Sequence, residues 1–496
     1  MLACLRMQLY FLIAVFCVAA PALAVDDTHN QHQLVLKGTI TYAQNHSLVD
    51  LPFEVPPGVY RLTVDVRYTD REKQTVLNTE ISDPYRFRGT SGSNKGHFTI
   101  GESDATPSFL PGAIPAGKWK LTLAVSNIRS GMTSSYEADI YFDRPIDDAA
   151  FVDHALNPKP GWYRGDLHMH TGHSDGSCPS QSGQPVPCPV FFTVESAAKR
   201  GLDFIAVSDH NATSQYDALR ELQPYFDRLL FVPGREITTT AGHANLLGTM
   251  RYLDFHVGDA DVPDINVLAR RAHELGAILS INHADSPGGE ICRGCRWEAS
   301  PPVDMRLITA IELINGGDGE GLFPSYEFWR KQLEHGYRPT AIGGSDNHRP
   351  YWPPDKPGSV GSPTTVVQAS ELSVPAILDG IRAGHVFIDL SGSPDRSLEV
   401  EVSDAQGSAA MGDVLAAPRG EEVRLTIHIE HCAANRASVL LDGDKPLPVT
   451  PEILRESSVS ASAAWRSDGM RHWLVVEVRD LTGALYLVGN PVYLNF

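Results

Sequence analysis

The hydrophobic rhythm of the chain changes along its length, and the changes mark out segments. Between residues 33 and 146, short runs such as Leu34-Val35-Leu36, Tyr60-Arg61-Leu62-Thr63-Val64 and Trp119-Lys120-Leu121-Thr122-Leu123 are broken by Pro-Pro-Gly, Ser-Gly-Ser and Pro-Ala-Gly turns. A period of two with no helical period predicts strands, and strands at this spacing predict an N-terminal β-sandwich over 33–146. Residues 147–160, with Asp-Asp-Ala-Ala and Asn-Pro-Lys-Pro, read as a linker. From Gly161 helix-like stretches (194–200, 218–222, 265–275, 326–335, 374–383) alternate with short apolar runs (204–207, 230–232, 277–281, 311–313, 340–342). Repeated strand-then-helix units predict an α/β sheet or barrel over 161–392. Beyond residue 396 the alternation returns at 398–402, 423–429 and 473–478, which predicts a second, smaller β-sandwich over 396–496.

The first residues follow a different logic. Arg6 precedes an apolar run over 9–20, and Ala22-Leu23-Ala24 is a small-x-small cleavage signal. Together they read as a secretory signal peptide over 1–24, cut after Ala24. A membrane anchor is the competing reading, but the run falls short of the roughly 20 apolar residues that a bilayer span needs. Phe16 stands before Cys17, where a lipid-anchored signal wants a small residue. The expectation is an exported protein, periplasmic or extracellular, with no membrane span after cleavage. Export permits disulfides. Cys178 with Cys188 and Cys292 with Cys295 are the simple local pairings, leaving Cys432 over. Spacing alone does not fix the connectivity, and a four-cysteine structural zinc is the rival reading. The formal net charge of −19 disfavours a phosphate backbone as partner, so no nucleic acid is expected.

The chemistry is concentrated where the apolar runs of the middle segment end. Gly165-Asp166-Leu167-His168-Met169-His170-Thr171 places two histidines at i and i+2, which share one face of a strand. Ser174-Asp175-Gly176 offers a carboxylate in a tight turn. The run 204–207 leads into Ser208-Asp209-His210-Asn211, with His210 as a ligand candidate and Asp209 as its hydrogen-bonding support. Glu236 follows the run 230–232, His243 follows a Thr-rich turn, and His283 ends the run 277–281. Asp346 and His348, again two apart, end the run 340–342. Any one of these residues is more often a surface histidine or a helix cap. Their recurrence at strand ends in one segment points instead to a multinuclear metal site that activates water.

These motifs carry a resemblance. Asp-Leu-His-Met-His-Thr with Ser-Asp-Gly, Val-Ser-Asp-His-Asn, Gly-Arg-Glu-Ile-Thr with Gly-His-Ala-Asn, Ile-Asn-His and Gly-Gly-Ser-Asp-Asn-His resemble those of the PHP (polymerase and histidinol phosphatase) family, over 161 to about 390. The resemblance implies a distorted (β/α)7 barrel that holds two or three divalent ions, zinc, manganese or iron. It assigns His168, His170, Asp175, His210, Glu236, His283, Asp346 and His348 as ligands, with His243 as the ninth and least secure transfer. Gly-His-Ala-Asn-Leu-Leu-Gly and the exported, β-flanked layout look like the carbaryl-hydrolase-like branch, whose named member cleaves a carbamate ester.

The expected activity is hydrolysis of a small-molecule ester by a metal-activated hydroxide, with a phosphoester as the first choice. Asp175 or His243 would carry a proton, and Arg293, Arg296 and Arg349, which follow ligand segments, would hold an anionic substrate. The cysteine-bearing loops after Ser174 and Asp285 are expected to rim the site. One alternative is a carbamate, ester or amide hydrolase on the same metals. Another, from a different class, is an exported glycan-binding protein with a vestigial barrel.

Overall fold

The computed structural model describes residues 33–290, 292, 294–317 and 322–496. The signal peptide expected over 1–24 lies outside the described residues, as does Arg293. No helix among the described residues is long and apolar enough to cross a membrane.

Residues 33–142 build two four-stranded antiparallel sheets. One runs Gln33–Thr41, Thr133–Phe142, Arg61–Tyr68, His97–Gly101, and the other Leu48–Val55, Gly117–Asn127, Val76–Ser82, Phe87–Ser91. Alternate residues point into a shared core, where Leu62, Val64, Trp119, Leu121, Leu123 and Ile140 are fully buried. Each such side chain contributes roughly 1.5–3 kcal/mol of burial energy, enough to hold the sheets face to face. The expected linker instead contains a short helix, Pro145–Ala149, whose Asp147 and Asp148 are buried. They are buried because Arg144 pairs with Asp147 at 2.6 Å and Thr249 donates to Asp148 at 3.0 Å.

The middle region is mixed α/β, rich in sheet and poor in helix. Strands Gly161–Asp166, Phe204–Ile205 and Leu230–Phe231 lie parallel and adjacent. Gly234–Thr239, Gly242–Leu247, Ile278–Ile281, Ala310–Asn315 and Thr340–Gly344 form a second sheet in that order. Main-chain bonds beyond the strand ends join the two. Glu236 N donates to Ser208 O at 3.0 Å on one side, and on the other Asp346 N donates to His168 O at 2.8 Å and His170 N to Asn347 O at 2.9 Å. A ring of hydrogen bonds therefore passes through all of these strands. It departs from a regular strand-then-helix repeat at Gly242–Leu247, which pairs antiparallel with the strand before it and the strand after it. The turn at 240–241 is too short for the crossover that a parallel pair would need.

The sheet that starts at Gly161–Asp166 does not stop at the end of this region. Through Thr364–Ala369 and Val386–Asp389 it continues antiparallel into Leu485–Gly489, His472–Arg479 and Arg436–Leu441. A separate sheet built on Ser397–Ser403, Glu422–Glu430 and Ser458–Arg466 covers one face of this extension, with strictly alternating burial along Glu422–Glu430. Cys178 pairs with Cys188 and Cys292 with Cys295, with Cα atoms 4.9 and 5.5 Å apart, so these cysteines form disulfides rather than a four-thiolate zinc site. Cys432 is buried and free.

The N-terminal sheets and the middle region meet at a buried ion cluster. Asp104 is fully buried between two guanidinium groups. Arg61 donates to it at 2.6 and 3.1 Å, and Arg220, on the helix Gln215–Leu222, donates from the other side. Asp104→Ala would leave two buried cations without their counter-ion and is expected to cost about 3–5 kcal/mol. Urea unfolding checks this. A loss below about 1 kcal/mol, the range of exposed pairs, would show that the cluster is effectively solvated.

Candidate metal centre

Most candidate ligands sit just beyond a buried strand; Glu236 and His243 lie within Gly234–Thr239 and Gly242–Leu247, and Asp175 lies in a turn. Leu167 and Met169 are fully buried in the cores that flank the first strand of the ring. Extended backbone sends alternate residues the other way, so His168 and His170 share the inner face, and both are buried there. His210 and Glu236 are neighbours in a parallel backbone bridge. His283 and Asp346 take left-handed backbone, with φ of 30° and 53°, immediately after Ile278–Ile281 and just beyond Thr340–Gly344. That conformation costs a non-glycine residue on the order of 1–3 kcal/mol and persists only where the surroundings enforce it.

Glu236 is the hub. Its carboxylate is fully buried and lies 3.4 Å from His168 Nε2, 3.6 Å from His170 Nε2, 2.7 Å from His210 Nδ1, 3.4 Å from His243 Nδ1 and 3.4 Å from His283 Nε2. Asp346 Oδ1 stands 3.4 Å from His168 Nε2 and 3.0 Å from His170 Nε2. Asp175, exposed at the mouth, reaches His348 Nε2 at 3.2 Å and His210 Nε2 at 3.7 Å. Potential ligand atoms gather within 4.8 Å of one another in overlapping sets: His168, Glu236 and His283; His168, His170 and Asp346; His170, Asp175, His210 and His348; and His243, His283 and Cys295. The structure thus brings together all nine residues singled out as ligands.

The donor set fits divalent cations. His168 Nε2, His170 Nε2, His243 Nε2 and Glu236 Oε2 are buried without a well-aligned hydrogen bond, although ion-pair contacts reach all but His243 Nε2. Leaving such atoms unpaired costs about 1–3 kcal/mol each, and a cation satisfies several at once. The opposite nitrogen is held on most of the rings: His168 Nδ1 by Glu312 at 2.8 Å, His210 Nδ1 by Thr238 Oγ1 at 2.6 Å, His283 Nδ1 by the Cys295 carbonyl at 2.8 Å and His348 Nδ1 by the Asp346 carbonyl at 2.9 Å. That anchoring fixes the rings and leaves Nε2 for a metal. Imidazole and carboxylate together suit zinc, manganese or iron.

The electrostatics are those of interlocked ion pairs. Burial and the neighbouring charge of His348 push His170 down to about 4, which keeps it neutral. Burial acts against a charge on His283 too, but the hydrogen bond and charge of Glu236 outweigh it and lift this residue to about 9. Burial would raise Glu236; the charges of His168 and His210 overcome that and hold it well below the usual carboxylate range.

Several residues that build the site escaped the sequence reading. Glu312 is buried at 1% exposure, takes the His168 ring at 2.8 Å and accepts from His283 N at 3.0 Å. An acidic residue inside the wholly buried strand Ala310–Asn315 was the available signal. Asp209 does support its neighbours: it accepts from Thr171 N and Thr171 Oγ1 at 2.7 Å and from Ser174 Oγ at 2.6 Å, fixing the turn that carries Asp175. That turn, Gly172-His173-Ser174-Asp175-Gly176, has the Gly-x-Ser-x-Gly spacing of a nucleophile elbow. It leads into the short strand Ser177–Pro179 rather than a helix, and Ser174 spends its proton on Asp209, so the serine is structural.

The rim is made as expected by the Cys178–Cys188 hairpin, where Ser177 N donates to His348 O at 2.8 Å. Arg296 is exposed beside Cys295, and Arg349 lies over the Trp352 ring at 5.1 Å.

No family model matches the chain, and no curated protein matches it. Among solved structures it is similar to a two-domain protein from Bacteroides vulgatus that contains a predicted PHP-like metal-dependent phosphoesterase. The identity is 17%, the match covers 69% of this chain and 98% of that one, and the TM-score is 0.37. A likeness at that level carries no argument about the reaction.

Glu312→Gln keeps the side-chain shape but weakens the grip on the His168 ring. The variant is expected to lose metal affinity about 10–100-fold. Competition with a chromogenic chelator checks it, and unchanged affinity would show that Glu312 only packs.

Proposed function

We propose that the chain is an exported metal-dependent hydrolase of the PHP type, on a distorted (β/α)7 barrel, that cleaves a small-molecule phosphoester. The observation that supports this most directly is the set of buried, unpartnered atoms on His168, His170, His243 and Glu236, all in one cluster. Two or three divalent ions, zinc, manganese or iron, would be held by His168, His170, Asp175, His210, Glu236, His243, His283, Asp346 and His348. When bound, such ions bring the pKa of a water to about 7 and polarise the bond under attack.

The chain's own residues do the rest. Glu236, fully buried, and Asp346, half-buried beside it, supply fixed negative charge that is little screened at Glu236. Asp175 is the outermost carboxylate of the cluster. Burial works against its charge, but the His348 hydrogen bond and the nearby histidine charges hold it below the ordinary range, so it stands ionised and would hold a proton only in passing. His243, buried with Nε2 unpartnered, is the second candidate to hold one. Arg296 and Arg349 would bind an anionic substrate, as would Arg293, which lies outside the described residues.

A specific observation favours a second reading, an aryl carbamate or carboxylic ester. A cavity of about 350 Å³ lined by Cys178, Pro179, Phe192, Pro350 and Tyr351, and also by Glu195, Ser196 and Lys199, adjoins the rim hairpin and the segment after His348. Its apolar wall suits an uncharged aromatic leaving group.

Assays of phosphomonoesters, phosphodiesters and aryl carbamates with added Mn²⁺ or Zn²⁺ separate the readings. Turnover is expected with a phosphoester and not without metal; turnover of the carbamates alone would establish the second reading. Joint replacement of His168 and His170 by Ala should abolish metal retention and hydrolysis together, and a variant that stays fully active would overturn the assignment.

A further inference from the structure

We propose that reduction of the Cys292–Cys295 disulfide converts Cys295 into a thiolate ligand and creates, with His243 and His283, a soft nitrogen–sulfur metal site that the oxidised protein lacks. This rests on the reading of the cluster as a metal centre and adds a redox control to it.

The geometry is already assembled. Cys295 Sγ and a ring nitrogen of each histidine lie within 4.8 Å of one another. His243 is 5% exposed and its Nε2 has no partner, so an unsatisfied buried donor atom faces this corner of the cluster. The main chain of Cys295 also orients His283, because its carbonyl accepts from His283 Nδ1 at 2.8 Å. The disulfide is therefore a lining of the centre, and one of its sulfurs stands where a third ligand belongs.

The sulfur would stay in place once the bond is cut. Trp297 N donates to Ala284 O at 3.1 Å and Glu298 N to Ala241 O at 2.8 Å, so main-chain bonds tie the loop to both histidine-bearing segments. Gly294, at φ +90°, packs so closely that a Cβ there would lie 2.0 Å from Thr239 O and 3.2 Å from His243 Nε2. Only glycine fits, and it seats the next residue against the histidines.

The chemistry balances with an external dithiol as reductant. The dithiol gives up two electrons and two protons and becomes a disulfide; the sulfur–sulfur bond of Cys292–Cys295 breaks and each sulfur takes up one proton. Cys295 then releases its proton to solvent as it binds the cation. A thiolate with two imidazoles is a softer set than the mixed imidazole and carboxylate remainder of the cluster, so reduction shifts this corner toward zinc and away from manganese.

Titration of the full chain with Co²⁺, read by absorption, tests the proposal. Visible d–d bands report metal in the cluster, and a near-ultraviolet charge-transfer band reports a thiolate on the metal. The wild type should show the charge-transfer band only after reduction with a phosphine. Cys292→Ser should show it without reductant, and Cys295→Ser never, although both variants lack the disulfide. The two variants share any effect of losing the cross-link, so their difference isolates the Cys295 sulfur. Visible bands with no charge-transfer band in reduced wild type and Cys292→Ser, or an equal band in Cys295→Ser, would overturn this inference and leave the metal centre standing. No visible bands in any form would overturn the metal centre itself.

Discussion

One buried carboxylate organises the middle of this molecule. Glu236 is fully buried and reaches five imidazoles from four different segments of the chain. A lone carboxylate at such depth would carry a desolvation penalty of several kcal/mol. The histidines offset it, and His168, His170 and His243 in turn keep a ring nitrogen without a well-aligned hydrogen bond in the chain. The arrangement is incomplete as polypeptide and complete with cations, which is why the cluster reads as a centre for chemistry rather than as a structural ion pair.

The rest of the fold can be understood as holding the strand ends around that carboxylate. The left-handed turns at His283 and Asp346 need enforcement, and they receive it from the ring of main-chain bonds and from Glu312, which accepts from His283 N. The C-terminal region contributes as well. Asn490 donates to Ala341 O at 2.8 Å and accepts from Ala341 N at 2.7 Å, gripping the strand that ends in Asp346. The N-terminal sheets are fastened through Asp104 to the helix Gln215–Leu222, which follows the His210 segment. Both flanking regions thus act on the site through the elements that carry its ligands.

Much of the site was legible because metal ligands obey a strong local rule. A histidine or acid at the end of an apolar strand is visible in one dimension, and the i, i+2 pairs fix a shared face without any knowledge of the fold. Glu312 obeyed no such rule. It sits within a strand, and its purpose depends on His168, 144 residues away. The alternation of 33–142 and of Glu422–Glu430 is equally local and gave the flanking strands directly. The antiparallel strand Gly242–Leu247 and the continuous sheet from Gly161–Asp166 into Leu485–Gly489 were not legible, because pairing partners are set by long-range packing that period alone does not encode. The Pro145–Ala149 helix was hidden by its acids, which only the buried partners around them explain.

The central claim is that the unpartnered atoms around Glu236 are cation ligands. Crystals of the protein soaked in Mn²⁺, with anomalous difference maps recorded on both sides of the manganese absorption edge, test it most directly. The account predicts peaks within bonding distance of the Glu236 carboxylate and of His168, His170 or His283. A map with no peak at the cluster, or with peaks only at surface carboxylates such as Asp304 or Asp468, would contradict it.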